Sequence, residues 1–355
     1  MLKKPIFISG LRKSGTSMVK NLLDNHPDLF VYPPNELHFF KFTHYYNLGR
    51  KAKHTSSRPK PMPEILDKIC RDKWFNPFPR QTSIDWDAFV DIGRLHELIR
   101  NSKAGGYPEL FVDIADAMAA ATTSFKGDLE TIRLTCKGVQ QEEFFPELRE
   151  WFPDLKMVYV LRNPYAQLNS AINNMRHGRK GLEEKLRIGI DRKNLDASFA
   201  YPYLGPRLRQ MRISYYFMQK FHELSPGQFY ILNYDALLLD PKAELLKLCQ
   251  FLDLDFHDNM MELTLCGQPI QRIGWSVKKY TDSSISPAPL AAWKEQLSGI
   301  ATRLINLYFA DVLEDYGYDR VESRYPRWKK ADASEDFRKY VANRLLFTKP
   351  VRKLI

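Results

Sequence analysis

The sequence predicts an α/β fold of three layers, with a central, mostly parallel sheet flanked by helices. Short apolar segments rich in β-branched residues recur along the chain, and segments with helical periodicity lie between them. The apolar segments are hydrophobic along their length and do not alternate, which is typical of parallel strands covered on both faces. Strands that alternate with helices favour a doubly wound sheet.

The individual elements follow from local patterns. The strands are predicted at Ile6–Ile8, Phe30–Tyr32, Ile132–Cys136, Met157–Leu161 and Phe229–Leu232. The helices are predicted from apolar faces formed by Met18, Val19, Leu22 and Leu23, by Leu168, Ile172 and Met175, and by Leu245, Leu248 and Leu252. Proline fits a first helical turn, so we expect the second helix to begin at Pro164 and the third at Pro241.

Length and composition favour a single α/β domain. The chain has 355 residues, of which 44% are hydrophobic, enough for a large core. We predict one domain over residues 1–320 and a basic tail over 321–355, with a short helix near Phe337–Leu346. Residues 41–125 are expected to form an insertion on the acceptor side, and the basic, proline-rich segment Lys41–Arg80 is expected to be irregular.

Charge, cysteines and hydropathy narrow the class of protein. The net charge of +11 favours an anionic partner. Four distant cysteines have neither metal-ligand nor redox spacing, so we expect reduced thiols and no metal site. The N-terminus runs directly into a strand, and no segment approaches the ~18 apolar residues of a membrane span. We therefore expect a cytoplasmic protein.

A phosphate-binding loop follows the first predicted strand. Glycines at Gly10 and Gly15 allow a tight turn around an anion, and the next helix directs its N-terminal N–H groups toward the same point. Lys13 adds a mobile positive charge. Further contacts to the anion are expected from Arg12, Ser14, Thr16 and Ser17.

The loop is similar in spacing to the nucleoside-triphosphate loop G-x-x-x-x-G-K-[ST], which predicts a P-loop-like fold. Thr16, however, stands where that loop has its lysine, and the lysine of this chain comes earlier, at Lys13. An ATP-dependent small-molecule kinase is therefore an alternative that the loop disfavours.

A second cationic position follows the strand Met157–Leu161. Arg162 ends that strand, and Ser170 lies on the polar face of the helix that begins at Pro164. A guanidinium beside a hydroxyl can bind a phosphate. The same residues also suit a salt-bridged helix start, so this segment alone leaves both interpretations open.

Together these segments resemble the sulfotransferases that use 3′-phosphoadenosine 5′-phosphosulfate (PAPS). Residues 13–17 resemble the K/R-S-G-T-[TS] loop, and residues 152–164 resemble the F-P-x-x-K-x-I-x-x-x-R-D/N-P segment. More loosely, residues 230–241 resemble the family's strand, Y-E-D-L and D-P. The resemblance implies that the loop holds the phosphosulfate and that Lys13 stabilises the bridging oxygen. It also implies that Arg162 and Ser170 bind the 3′-phosphate, with Tyr234 near the adenine.

The acceptor hydroxyl needs a base. Glu36 and His38 follow the second strand, where a carboxylate or an imidazole can remove the proton. Residues 36–40 resemble the Glu-x-His-Phe-Phe segment of glycan sulfotransferases, which makes Glu36 the first candidate. His38 is the second candidate, because small-molecule sulfotransferases use a histidine, although theirs lies elsewhere in the chain.

Several candidates lie just after predicted strands, so we expect them to share one crevice at the carboxyl edge of the sheet. They are the loop, Glu36, Lys137, Arg162 and Tyr234. Lys137 is a candidate contact to donor or acceptor, although the proline that often follows this lysine in the family is absent. A weaker resemblance to a basic loop over the 3′-phosphate involves Arg272, Lys278 and Lys279.

The identity of the acceptor stays open at this stage. Aromatic and basic residues between His44 and Lys53 suit a carbohydrate, a glycolipid or an anionic acceptor, and they fit a lipid or a phenol nearly as well. A non-enzymatic protein that binds nucleic acid or glycan through the basic stretches 41–60, 176–193 and 320–353 is the remaining alternative. Those stretches lack a known reading module, so no nucleic acid is expected.

Overall fold

The structure is a computed structural model. It describes residues 2–33, 36–37, 39, 62–71, 88–177, 205–270, 285–287, 290–297 and 299–321. The chain divides into two compact units. The first comprises residues 1–46, 53–162 and 218–287, and the second comprises residues 47–52, 163–217 and 288–355. The prediction of a single domain over residues 1–320 with a tail stays a prediction.

A parallel sheet forms the centre of the first unit. Over the described residues it has five strands in the order β2-β3-β1-β4-β5. They are β1 (Ile6–Ser9), β2 (Leu29–Val31), β3 (Arg133–Lys137), β4 (Lys156–Leu161) and β5 (Phe229–Asn233). The predicted α/β fold with a central parallel sheet is confirmed, and each predicted strand lies within one residue of its observed bounds.

The helices, numbered in chain order over the described residues, complete the fold. They are α1 (Thr16–Leu23), α2 (Met62–Arg71), α3 (Ile92–Arg100), α4 (Tyr107–Ala121), α5 (Phe145–Trp151), α6 (Pro164–His177), α7 (Gly205–Leu224), α8 (Tyr234–Leu239), α9 (Pro241–Leu252), α10 (Trp293–Gln296), α11 (Gly299–Tyr308) and α12 (Ala310–Asp315). Among these helices, none has the length and hydrophobicity that crossing a bilayer requires.

Strand β1 lies in the middle of the sheet and is fully buried. It pairs in parallel with β3 on one side and with β4 on the other, so that Phe7 stands opposite both Cys136 and Met157. The ring of Phe7 packs against Phe111 of α4, with 5.7 Å between ring centroids. Because the chain goes first to one side of β1 and later to the other, the carboxyl end of β1 is a switch point, where open α/β sheets bind ligands.

The segment that was expected to be irregular, Lys41–Arg80, contains helix α2, so that expectation is wrong for residues 62–71. Pro63 lies in the first turn, where no intrahelical donor is needed. Ile65, Leu66 and Ile69 are buried at helical spacing and form its inner face. The rest of the segment, the basic stretch 178–204 and the predicted helix Phe337–Leu346 lie outside the described residues.

The second unit has its own packing. Tyr165 of α6 stacks on Trp293, with ring centroids 4.7 Å apart, and its hydroxyl donates to Asn306 of α11. Arg212 of α7 forms an ion pair with Asp311 of α12 at 2.7 Å. The boundary between the units falls within α7.

A buried histidine joins the turn before β2 to the segment after α9 in the first unit. The N–H of Asp28 donates to Nδ1 of His26 at 3.1 Å, so Nδ1 carries no proton. Nε2 therefore holds the proton and donates to the carbonyl of Asp255 at 2.8 Å. Burial lowers the pKa of His26, and the ring of His257, 4.9 Å away, acts in the same direction. The native state requires a neutral ring.

This neutral ring predicts a pH-dependent stability. The pKa of His26 lies below its ordinary value of 6.5, so the unfolded chain takes up the proton first as the pH falls. The free energy of unfolding should decrease as the pH drops below that value and level off below the folded pKa. Urea titrations between pH 5 and 8 test this. His26→Gln keeps a donor toward Asp255 but does not titrate, so the difference between wild type and variant should vary with pH. A constant difference would contradict the assignment.

Candidate active site

The loop after β1 adopts a backbone that suits its two glycines. Gly10 has φ 144° and Gly15 has φ 108°, a region that disfavours side chains, and a Cβ on Gly10 would lie 2.8 Å from the carbonyl oxygen of Val160. Lys13 also has a positive φ, of 74°. Helix α1 begins after Gly15 without a side-chain cap on its first-turn N–H groups. The loop therefore offers backbone donors to an anion.

One hydroxyl in the loop is buried without a partner. Ser14 is 1% exposed, and within the described residues its Oγ has no hydrogen-bond partner. A buried hydroxyl without a partner costs free energy of about 1–3 kcal/mol. A bound anion would supply that partner, so the residues present fit a phosphate or sulfate group.

The charges around Lys13 define the electrostatics of the loop. Burial, together with the neighbouring cations Arg12, Arg162 and Lys137, lowers the pKa of Lys13 to about 8, while Glu36 opposes the shift. Around Lys13, the three neighbouring cations outnumber the carboxylate of Glu36, which leaves an excess of positive charge near the loop. Such a cleft attracts a multiply charged anion.

Arg162 joins the loop to the end of β4. It is 8% exposed, and its Nη1 donates to the carbonyl of Lys13 at 3.0 Å. Its guanidinium carbon lies 5.2 Å from the ring centroid of Tyr234, a cation–π geometry. Two cationic positions that are far apart in the sequence therefore lie side by side.

Tyr234 contacts both the glycine loop and Arg162. It follows β5 as the first residue of α8, and its ring packs so closely on Gly15 that a Cβ there would overlap ring atoms Cδ2 and Cε2. The ring thus touches Gly15 as well as the guanidinium of Arg162. Contact of Tyr234 with an adenine stays a prediction.

Glu36 and Lys137 form a shielded ion pair. Nζ of Lys137 lies 3.1 Å from Oε1 of Glu36, and their side chains are 2% and 11% exposed. The same ammonium donates to Oγ of Ser17 in the first turn of α1, at 3.2 Å. Burial lowers the pKa of Lys137, and Glu36 opposes this shift. Lys137, only a candidate contact from the sequence, thus links the candidate base to the loop.

For the other site residues that the sequence predicts, the structure does not define a role. Ser170 is half-buried on α6, in the second unit, and its role stays a prediction. The side chains of His38, Arg272, Lys278 and Lys279 lie outside the described residues, so the choice between Glu36 and His38 as base also stays a prediction.

Sequence reasoning missed the polar support beneath the loop. The hydroxyl of Ser9, at the end of β1, donates to the buried carboxylate of Glu142, and the N–H of Glu142 donates to the same hydroxyl at 3.0 Å. The N–H of Gln140 donates to the carbonyl of Gly10, also at 3.0 Å. No local pattern indicates these contacts, because they join segments that are about 130 residues apart. These segments become neighbours only because β1 pairs with β3 in the sheet.

Comparison with known proteins gives the class. The model of the sulfotransferase family matches residues 5–258, so the chain belongs to that family. An uncharacterized protein of Aquifex aeolicus (strain VF5) is 25% identical over 276 residues, which is 76% of this chain and 28% of that protein. The chain thus spans less than a third of the length of this curated relative.

A solved structure supports the fold of this chain. The sulfotransferase domain of the curacin biosynthetic pathway superposes with a TM-score of 0.50 at 18% identity, over 90% of this chain and 99% of that one. The sulfotransferase domain of the Synechococcus PCC 7002 olefin synthase gives a TM-score of 0.48 at 16% identity, over 89% of this chain and 96% of that one. The first of these supports the P-loop-like fold of this chain.

The packing of Gly15 predicts the effect of one added methyl group. Gly15→Ala combines an unfavourable φ with overlap against the ring of Tyr234, so the free energy of unfolding should fall by more than about 1 kcal/mol. Urea unfolding measures this. Gly227→Ala is the control, because a Cβ there meets nothing within 4 Å. In a Tyr234→Ala background, Gly15→Ala should lower the free energy of unfolding by less. Equal losses of stability from Gly15→Ala and Gly227→Ala in the wild-type background would contradict the packing.

Proposed function

We propose that this chain transfers a sulfuryl group from PAPS to the hydroxyl of an acceptor. The observation that carries the proposal is the 3.0 Å contact between the guanidinium of Arg162 and the carbonyl of Lys13. It joins the glycine loop to a second cationic position, as an adenosine with phosphates at both ends requires. Family membership supports the same chemistry.

The donor would be held by residues of the loop and its surroundings. Backbone N–H groups at the start of α1 and the hydroxyl of Ser14 would bind the phosphosulfate, with Arg12, Thr16 and Ser17 close by. Arg162 would bind the 3′-phosphate, and Ser170 is the second candidate that the family resemblance gives for that phosphate. When bound, the donor supplies the sulfuryl group, whose bond to the phosphate oxygen breaks as a bond to the acceptor oxygen forms.

Lys13 would stabilise the charge that develops on the departing phosphate oxygen. Its pKa of about 8 leaves it mostly protonated at neutral pH, and a lowered pKa makes its ammonium a better proton donor. A charged donor in a site with little water is worth more than the same donor in solvent. In this proposal no residue needs a metal.

Glu36 would accept the proton of the acceptor hydroxyl. A base must be ionised before it acts, and the ammonium of Lys137 at 3.1 Å stabilises the carboxylate form of Glu36. His38 is the alternative base. The acceptor itself, a carbohydrate or glycolipid in our hypothesis, is a proposal that rests on residues outside the described ones.

Calorimetric titration tests the donor assignment. The product 3′-phosphoadenosine 5′-phosphate (PAP) should bind at least about tenfold more tightly than ATP, with or without EDTA, because Arg162 provides a site for the 3′-phosphate. Arg162→Gln should weaken PAP binding by about tenfold or more, and Arg94→Gln, at an exposed position of α3, should not. Tight ATP binding that EDTA abolishes would favour a kinase instead. Salt-dependent DNA binding without PAP binding would favour the nucleic-acid alternative.

Two substitutions should separate the roles of the charged residues. Turnover is measured as PAP released from PAPS with a panel of phenols and glycosides as acceptors. Glu36→Gln should lower turnover by about 100-fold or more and leave PAP affinity within about threefold. Lys13→Ala should lower turnover by a similar or larger factor.

Lys242→Ala, at an exposed lysine, is the control for both variants. Because Glu36→Gln removes the counter-charge of Lys137, the unfolding free energy of that variant is measured alongside. Full activity of Glu36→Gln would exclude Glu36 as base, and full activity of Lys13→Ala would refute the role of Lys13.

A further inference from the structure

The segment that carries Glu36 is fixed to β3 at both of its ends. At the first end, the N–H of Tyr32 donates to the carbonyl of Thr135 at 2.8 Å. At the other end, the N–H of Leu37 donates to the carbonyl of Lys137 at 2.9 Å. The approach to Glu36 is therefore held by β3, and Pro33 lies between these two attachments.

Pro33 is held by a different element. Pro33 has no backbone N–H, so its carbonyl is its one polar group. Nζ of Lys20 donates to that carbonyl at 2.8 Å. Lys20 lies on α1, just over one helical turn after Thr16, where the glycine loop ends.

Burial makes Lys20 an unusual choice for this position. The residue is 1% exposed, and burial lowers its pKa to about 8, while Asp24 opposes the shift. It is thus mostly an ammonium at neutral pH, and hydrogen bonds from a charged donor are stronger than neutral ones. A well-packed apolar side chain of similar volume would avoid the desolvation cost. Stability alone therefore does not explain a lysine here.

We infer that Lys20 is a positioning residue that fixes Glu36 relative to the donor loop. The inference rests on the proposed function. One rigid helix builds the phosphate site at its N-terminus and, about a turn later, holds the backbone that leads to the base. In-line transfer requires the donor and the base at a set separation, and a misplacement of about 1 Å can cost a factor of up to 100 in rate.

A purely structural role predicts different results. If Lys20 only stabilised the fold, replacing it would lower stability and donor affinity together with turnover. A positioning role lowers turnover while stability and PAP affinity are retained. It also makes the effect of Lys20 depend on the presence of Glu36.

The experiment uses Lys20→Met, which keeps an unbranched side chain, shorter by one atom, and removes its charge. Lys242→Met, at a lysine whose side chain is 60% exposed, is the matched control. Lys20→Met should bind PAP within about threefold of wild type, unfold at equal or higher urea concentration, and release PAP from PAPS about 10- to 100-fold more slowly. In a Glu36→Gln background, Lys20→Met should cause little further loss.

Hydrogen exchange provides a readout that does not depend on turnover. In Lys20→Met the amide of Leu37 should exchange faster than in wild type, because the segment has lost its attachment at Pro33. The amides of α9 should be unaffected. If Lys20→Met does not fold, Lys20→Gln, which retains a shorter donor, takes its place and should show a smaller effect of the same kind.

Three results would overturn the inference. The first is a joint loss of stability, PAP affinity and turnover in Lys20→Met. The second is unchanged exchange at Leu37, and the third is an equal loss of turnover from Lys20→Met with and without Glu36. Failure of the proposed function looks different: wild type would neither bind PAP nor release it from PAPS, while the exchange measurement would still report on the attachment at Pro33.

Discussion

Repulsion between neighbouring cations is the constraint on which the site depends. Lys13, Arg162 and Lys137 converge at one edge of the sheet, and the charges of Arg162 and Lys137 lower the pKa of Lys13. The fold tolerates this arrangement because backbone carbonyls, the ring of Tyr234 and the carboxylate of Glu36 compensate part of the charge. What remains is an excess of positive charge that a multiply charged anion would neutralise. Binding of such an anion should therefore stabilise the fold, in addition to the part that it has in the proposed sulfuryl transfer.

The parallel sheet makes this convergence possible. In an open sheet of parallel strands all carboxyl ends lie at one edge, so the residues that follow β1, β3, β4 and β5 become neighbours. The polar contacts beneath that edge then determine distances. Lys20 and Lys137 tie the segment of Glu36 to α1, and Glu142 supports the start of the glycine loop. The precision of the site thus depends on polar side chains beneath the loop, such as Lys20 and Glu142, as well as on the candidate binding residues.

Local patterns predicted the parts of the fold that repeat along the chain. Apolar strands, the glycine loop and proline-initiated helices each have a signature within a few residues, and all of these appear where expected. Helix α2 was missed because the basic and proline-rich residues around it obscured a short apolar stripe at Ile65, Leu66 and Ile69. Arg162 and Tyr234 were predicted through motif spacing, yet their contact with each other was not.

The sequence by itself determined the class of the fold, the position of the glycine loop and the resemblance to the family, because each depends on residues that are close along the chain. Only the tertiary structure decided which charges meet. The pairing of Lys137 with Glu36, the buried hydroxyl of Ser14 and the hold of Lys20 on Pro33 depend on strand order and burial. Strand order and burial cannot be read from a short stretch of sequence, because both are set by residues that are distant along the chain and become adjacent only after folding.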